Sequence, residues 1–302
     1  MDNKKSPSAS PEFSVREFFQ RFPDEKSCLE HIMKVRFGGT RFDCPKCGTV
    51  GATFHKLAER RTYVCSACGF HVNPTANTIL HDTRTPLVSW FYAMYLFCTT
   101  RHGVSGKELQ RQLGVTYKTA YRIGMQIREL TGKVGMDGLL RGHVEIDEAY
   151  MGGRAKGQLG RPGRNSKKTP VVAIIERDGR MAAEVTPDAS TMTLRGMVHR
   201  YVEPGSTVST DGFSGYKLLA GEGFTHGSVN HGMREYARTE ADGTVHHVNA
   251  VEGFWRLFKA SVRSTHIAIS RTHMQSYLDE FTFRANHRNR VNGMFDLLVG
   301  AL

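Results

Sequence analysis

The stretch HVEIDEAY, residues 143–150, decides how the chain is read. As a strand it sends His143, Glu145 and Asp147 to one side and Val144, Ile146 and Glu148 to the other. An apolar run, PVVAIIER (170–177), follows, then an Asp178-Gly179 hairpin turn and a returning strand at 180–186. Beyond these the pattern predicts a helix at 190–201, a strand at 206–210, a short helix near 214–220 and a strand near 226–230. Helices at 249–263 and 272–287 complete the segment. This order of strands and helices describes an α/β domain on a mixed sheet, spanning residues 141–290, and the same order occurs in RNase H-like folds.

Upstream of the Gly-rich boundary TGKVGMDGLLRG (131–142) the sequence changes character. Residues 1–13 read as a disordered tail without the apolar segment of a secretory signal, and 14–40 as helices broken at Pro23. Within 41–74, CPKCG and CSACG place Cys44/Cys47 and Cys65/Cys68 as two knuckles separated by seventeen residues. That spacing presents four thiolates to one tetrahedral Zn²⁺, with a hairpin between the knuckles. So small a module depends on its metal to fold, so the zinc is structural. Cys28 and Cys98 fall on apolar helix faces and read as packing.

Residues 75–135 are helical: PLVSWFYAMYLFCT (86–99) puts Trp90, Met94 and Phe97 at core spacing. Ser105 and Glu108 then mark the start of one helix, Gly114-Val115-Thr116 a turn, and a second helix runs to about Leu130. This is a helix-turn-helix pattern whose second helix presents Tyr117, Lys118, Arg122 and Gln126 for phosphate or base-edge contact. Residues 291–302 read as a tail.

The formal charge is +12, and two clusters carry much of the excess. Residues 101–133 hold seven Lys/Arg against two Glu. The loop GGRAKGQLGRPGRNSKKTP contributes Arg154, Lys156, Arg161, Arg164, Lys167 and Lys168 with no acid among them. Two separate basic clusters favour a polyanion such as nucleic acid. No apolar run is long enough to cross a membrane.

Asp147 lies near the end of the first strand, Asp211 at the end of the fourth, and Glu252 on a late helix. Each alone is unremarkable, but together they would converge at one end of the sheet. Such hard oxygen ligands suit Mg²⁺ or Mn²⁺, and two ions roughly 3.5–4 Å apart could activate an attacking oxygen and stabilise a leaving one. Lys259 shares the Glu252 face about two turns on and could meet a phosphate; Asn249 lies one turn before Glu252. His231 and His247 are candidates to line the DNA channel.

Over roughly residues 25–290 the chain resembles DDE-type insertion-sequence transposases of the bacterial zinc-ribbon group related to Merlin elements, with an ISXO-like transposase domain. The resemblance rests on the ribbon, on GVSGKELQRQLGVTYKTAYR (103–122), and on EIDEAYMGG (145–153), STDGFSGY (209–216) and HVNAVEGFWRLFK (247–259). It implies a multidomain α/β protein: a zinc ribbon and a helix-turn-helix before an RNase H-like catalytic domain. It also implies Asp147 and Asp211 as the first two metal ligands. For the third, the E-x₆-K spacing of Glu252 and Lys259 fits the general DDE pattern, while this group also uses Asn, here Asn249. A neutral amide binds Mg²⁺ more weakly than carboxylate, which favours Glu252.

The implied reaction is metal-dependent cleavage at element ends bearing terminal inverted repeats, then attack of the freed 3′-hydroxyls on target DNA. The implied setting is a dimer or larger assembly on DNA in the bacterial cytoplasm, at the nucleoid. Two other readings remain: a DNA-binding regulator with a silent catalytic domain, and a metal-dependent nuclease that does not join.

Overall fold

The computed structural model describes residues 13–136, 138–152, 168–177, 179–288 and 291–302. The chain divides into two compact units, one running up to Val134 and including His287–Leu302, the other Gly135–Asn286.

In the first unit, α1 (Val15–Arg21) and α2 (Glu25–Phe37) each begin with a reciprocal capping box, at Ser14 and Asp24. Pro23 stands between them, as the sequence predicts. Phe13, assigned to the tail, is instead buried against Phe18, Tyr95 and Phe295, because its ring completes an aromatic cluster. The ribbon follows as four antiparallel strands: β1 (Arg41–Phe42), β2 (Ala52–Lys56), β3 (Tyr63–Cys65) and β4 (His71–Val72). Next, α3 (Leu87–Thr99) buries Trp90, Met94 and Phe97.

The helix α4 (Gly106–Leu113) starts where Ser105 Oγ accepts from the Glu108 amide at 3.1 Å. It stops at Gly114, whose φ of +64° is the left-handed conformation that glycine adopts without strain. Thr116 then caps α5 (Tyr117–Val134) through the Thr119 amide at 3.3 Å.

The second unit is a five-stranded mixed sheet. Its strands are β5 (His143–Met151), β6 (Thr169–Glu176), β7 (Met181–Val185), β8 (Thr207–Asp211) and β9 (Thr225–Val229), with α6 (Thr191–Tyr201) between β7 and β8. They lie in the order β7-β6-β5-β8-β9. The first three pair antiparallel, while β5–β8 and β8–β9 are parallel. In place of one short helix near 214–220 there are two 3₁₀ turns, Ser214–Tyr216 and Leu219–Gly221. A small hairpin, β10 (Arg238–Thr239) with β11 (Val245–His246), was not legible beforehand. The helix α7 (Asn249–Ser261) runs into a π turn, Val262–His266, and α8 (Met274–His287) follows.

The alternation of β5 sorts the two faces. Val144 and Ile146 join Val172, Ile174 and Val208 in a core closed by Leu194, Met197 and Val198 of α6 and by Tyr216. The opposite face, that of Glu145, receives α7. There Phe254, Trp255 and Phe258 are all buried, so the aromatic residues that follow Glu252 anchor the helix. The open edge of β7 is closed by side chains of α8: Gln275 accepts from the Val185 amide at 2.7 Å and Asn286 from the Met181 amide at 2.8 Å.

Residues 291–302 are not a tail. They form α9 (Val291–Gly300), which buries Met294, Phe295, Leu298 and Val299 in the first unit, packing against α2, α3 and α5. Four apolar residues at helical spacing in a segment this short do not by themselves announce a core helix; the aromatic cluster around Phe295 supplies the reason.

Candidate metal and nucleic-acid sites

In the ribbon, the four sulfur atoms of Cys44, Cys47, Cys65 and Cys68 all lie within 4.8 Å of one another. Cys44 Sγ and Cys68 Sγ are 3.8 Å apart, and Gly48 and Gly69 turn the two knuckles at positive φ. Four thiols converging from two β-turns fit a tetrahedral zinc ion.

The second cluster stands where β8 ends beside the middle of β5. That strand runs on to Met151 because its pairing with β6 continues to Thr169, so Asp147, expected near the end of the first strand, lies mid-strand. The parallel register of β5 and β8 pairs His143 with Thr207 and Glu145 with Ser209, so two residues further on Asp147 comes opposite Asp211. Carboxylate oxygens of Asp147, Glu148 and Asp211 all lie within 4.8 Å of one another. The Phe213 amide donates to Asp211 Oδ1 at 3.0 Å, which fixes the turn that follows β8. Glu148 is the member that the sequence did not single out. It leaves β5 on the core side, where the Tyr216 hydroxyl donates to its Oε2 at 2.6 Å. Three hard oxygen donors in one place fit a divalent cation of the Mg²⁺ type.

Glu252 is not in that cluster. Its Oε1 lies 3.3 Å from His231 Nδ1, in the turn that follows β9. Asn249 is exposed in the first turn of α7 and Lys259 exposed in its last.

Glu145, on the Asp147 face of β5 and fully buried, was also overlooked. Its Oε2 accepts from the amides of Ala250 at 2.7 Å and Val251 at 3.3 Å, the first turn of α7. Its Oε1 accepts from Arg177 Nε at 3.2 Å and lies 2.9 Å from His247 Nδ1. His247 therefore faces this buried carboxylate.

A buried polar chain runs alongside. Arg177 Nη1 donates to His143 Nδ1 at 3.1 Å, which leaves the His143 proton on Nε2, facing Ser209 Oγ at 2.6 Å. The Ser209 hydroxyl in turn donates to His246 Nδ1 at 2.8 Å. Burial, followed by the charges of Arg177, His246 and His247, pushes His143 down to about 4, so it is neutral at ordinary pH. Gly227 makes room for His246: a Cβ there would meet the ring Nε2 at 2.3 Å.

On α5, Tyr117, Lys118 and Arg122 are exposed and Gln126 is half-buried. Lys107 Nζ sits 4.8 Å over the Tyr117 ring, and Arg122 Nη1 lies 3.4 Å from Gln126 Oε1. Of the basic loop, Arg154, Lys156, Arg161, Arg164 and Lys167 lie outside the described residues, and Lys168 is half-buried just before β6.

Residues 139–286 match the family model of the ISXO2-like transposase domain, and residues 23–71 match that of the transposase zinc-ribbon domain. The chain belongs to the zinc-ribbon, ISXO2-like transposases. An "uncharacterized transposase-like protein" of Haemophilus influenzae is 26% identical over 121 residues, which span 39% of this chain and 93% of that protein. Among solved structures, the Mos1 strand transfer complex is 12% identical, covering 68% of this chain and 76% of the other, with a TM-score of 0.27. The Mos1 transposase paired-end complex with the left transposon end is 14% identical over 68% and 77% of the two chains, with a TM-score of 0.25. Among the described residues no helix is long and apolar enough to cross a membrane.

Proposed function

We propose that this transposase-family chain cuts DNA at the ends of its element and joins the freed 3′-hydroxyls to target DNA, with Asp147 and Asp211 holding the divalent ions. The observation that carries the reading is the β5–β8 pairing, which brings Asp147 in the middle of β5 close to Asp211 at the end of β8, with the Glu148 carboxylate within reach. The strand order β7-β6-β5-β8-β9, with an antiparallel second strand, supports reading the unit as an RNase H-like fold.

Two Mg²⁺ or Mn²⁺ ions bound there would supply Lewis-acid stabilisation to the attacking and leaving oxygens of a phosphodiester. The residues of the chain would do the rest. Asp147 and Asp211 would hold the ions from two hydrogen-bonded strands, so the separation of the two carboxylates is set by backbone pairing rather than by flexible loops. Glu252 is the proposed third ligand: α7 lies on the Asp147 face, and the present partner of Glu252 is a half-exposed histidine that it can leave. Glu148 and Asn249 are the alternatives at that position. Lys259 supplies positive charge to a neighbouring phosphate.

The zinc ribbon, the exposed residues Tyr117, Lys118 and Arg122 with half-buried Gln126, and the basic residues Arg154 to Lys168 are proposed to hold the terminal repeats. Both ends must be held together, so the working form is proposed to be a dimer or larger assembly on DNA.

The test is incubation of the purified chain with Mg²⁺ and DNA carrying the element ends. Joined products support the reading. Tight binding without cleavage would favour a regulator with a silent catalytic domain, and cleavage without joining would favour a nuclease.

A further inference from the structure

We infer that Glu145 is a positioning residue: it seats α7, and so the third ligand position, against the strand that carries Asp147. The inference rests on the metal-site reading above.

The helix has no local device that fixes where it begins. Its N-cap is Val248, which makes no side-chain cap hydrogen bond. A valine has no acceptor to offer the unpaired amides of the first turn. Glu145 supplies that acceptor from the neighbouring strand, 105 residues earlier, through Oε2 to the Ala250 and Val251 amides. These two residues lie directly between Asn249 and Glu252, the two third-ligand candidates on α7. Asp147 lies two residues beyond Glu145 on the same face of β5. One carboxylate therefore ties the backbone beside the first ligand to the backbone beside the third.

The chemistry of the pocket demands a carboxylate at full reach. Among the described residues, the polar partners of Glu145 in it are donors or potential cations: two helix amides, Arg177 and His247. Glutamine would turn an NH₂ group toward donors. Aspartate would keep the charge but withdraw it by one methylene. Position and charge can thus be separated with two substitutions.

The experiment uses the full-length zinc-loaded protein and Mn²⁺ alone, with bound and free ion distinguished by electron paramagnetic resonance. The chain has two tryptophans, so fluorotryptophan labelling gives one fluorine resonance for Trp255 on α7 and one for Trp90 in the other unit. The Glu145→Asp variant is expected to bind Mn²⁺ about tenfold more weakly, in the range seen when groups supporting a metal ligand are altered. Its Trp255 resonance is expected to move while that of Trp90 stays in place.

Wild-type Mn²⁺ affinity in Glu145→Asp would overturn the inference, as would weaker binding with Trp255 unmoved. Loss in Glu145→Gln but not in Glu145→Asp would also overturn it, because charge rather than reach would then be at work. The metal-site reading fails separately, and the inference with it, if Mn²⁺ binding to the wild type is untouched by Asp147→Asn.

Discussion

His231 Nδ1 lies 3.3 Å from Glu252 Oε1, so the carboxylate proposed as the third metal ligand is held by the turn that follows β9. That strand pairs Val229 with Asp211, so the turn begins at the same end of the sheet as the aspartate cluster. Glu252 is thus held by a turn at the Asp211 end of the sheet, in contact with a histidine that would compete with a metal ion for it. The Glu252→Gln variant is expected to lose about a hundredfold or more in cleavage rate, as removal of a charge-stabilising group does. Asn249→Ala is expected to stay within about tenfold of wild type. Cleavage assays under saturating Mg²⁺ decide it. Full activity in Glu252→Gln with loss in Glu148→Gln would move the third ligand to β5.

Zinc is expected at about one ion per chain, measured by atomic emission, and lost in Cys65→Ser. Chelation is expected to melt the ribbon while leaving the folding of the second unit intact, because the four sulfurs come only from β-turns of the first. Zinc retained after Cys65→Ser would contradict the four-thiolate site.

The exposed basic residues of α5 give a salt-dependence prediction. Lys118→Ala and Arg122→Ala are each expected to weaken DNA binding and to reduce the slope of log K against log salt by about 1. Fluorescence anisotropy across a salt series measures this directly. Unchanged slopes would remove the second helix from the interface.

The pH response follows from the buried histidines. Burial pushes His143 down to about 4 and lowers His226 and His246 as well. The unfolded chain binds protons at an ordinary histidine pKa of about 6.5, so below it the unfolded state holds more protons and stability falls as pH falls. The contribution of neutral His143 is fully present above about 6.5 and lost toward 4. Thermal melts between those limits are expected to show a smaller acid-side fall in His143→Gln than in wild type. Parallel profiles would contradict this.

The sequence carried the strand alternation of β5 and the ribbon because each follows a short-range period or a fixed spacing. Asp147 read as lying near a strand end because the continuation of β5 to Met151 depends on its pairing with β6. Glu145 did not stand out because its role depends on partners 32 and 105 residues away, Arg177 and Ala250. Glu148 was assigned to the far face by strand alternation. That assignment fits its bond to Tyr216, but alternation says nothing about how near its carboxylate comes to Asp147 and Asp211. The α9 helix read as a tail because its core lies among residues at the other end of the chain, Phe13 and Phe18 among them.

The most direct measurement is strand transfer by the full-length protein on DNA carrying its element ends, with Mg²⁺, comparing wild type with Asp147→Asn and Asp211→Asn. The account predicts joined products from wild type. It also predicts a loss of about a thousandfold or more in each variant, with DNA affinity retained. Joining that survives either substitution would contradict the assignment of Asp147 and Asp211 as the catalytic centre.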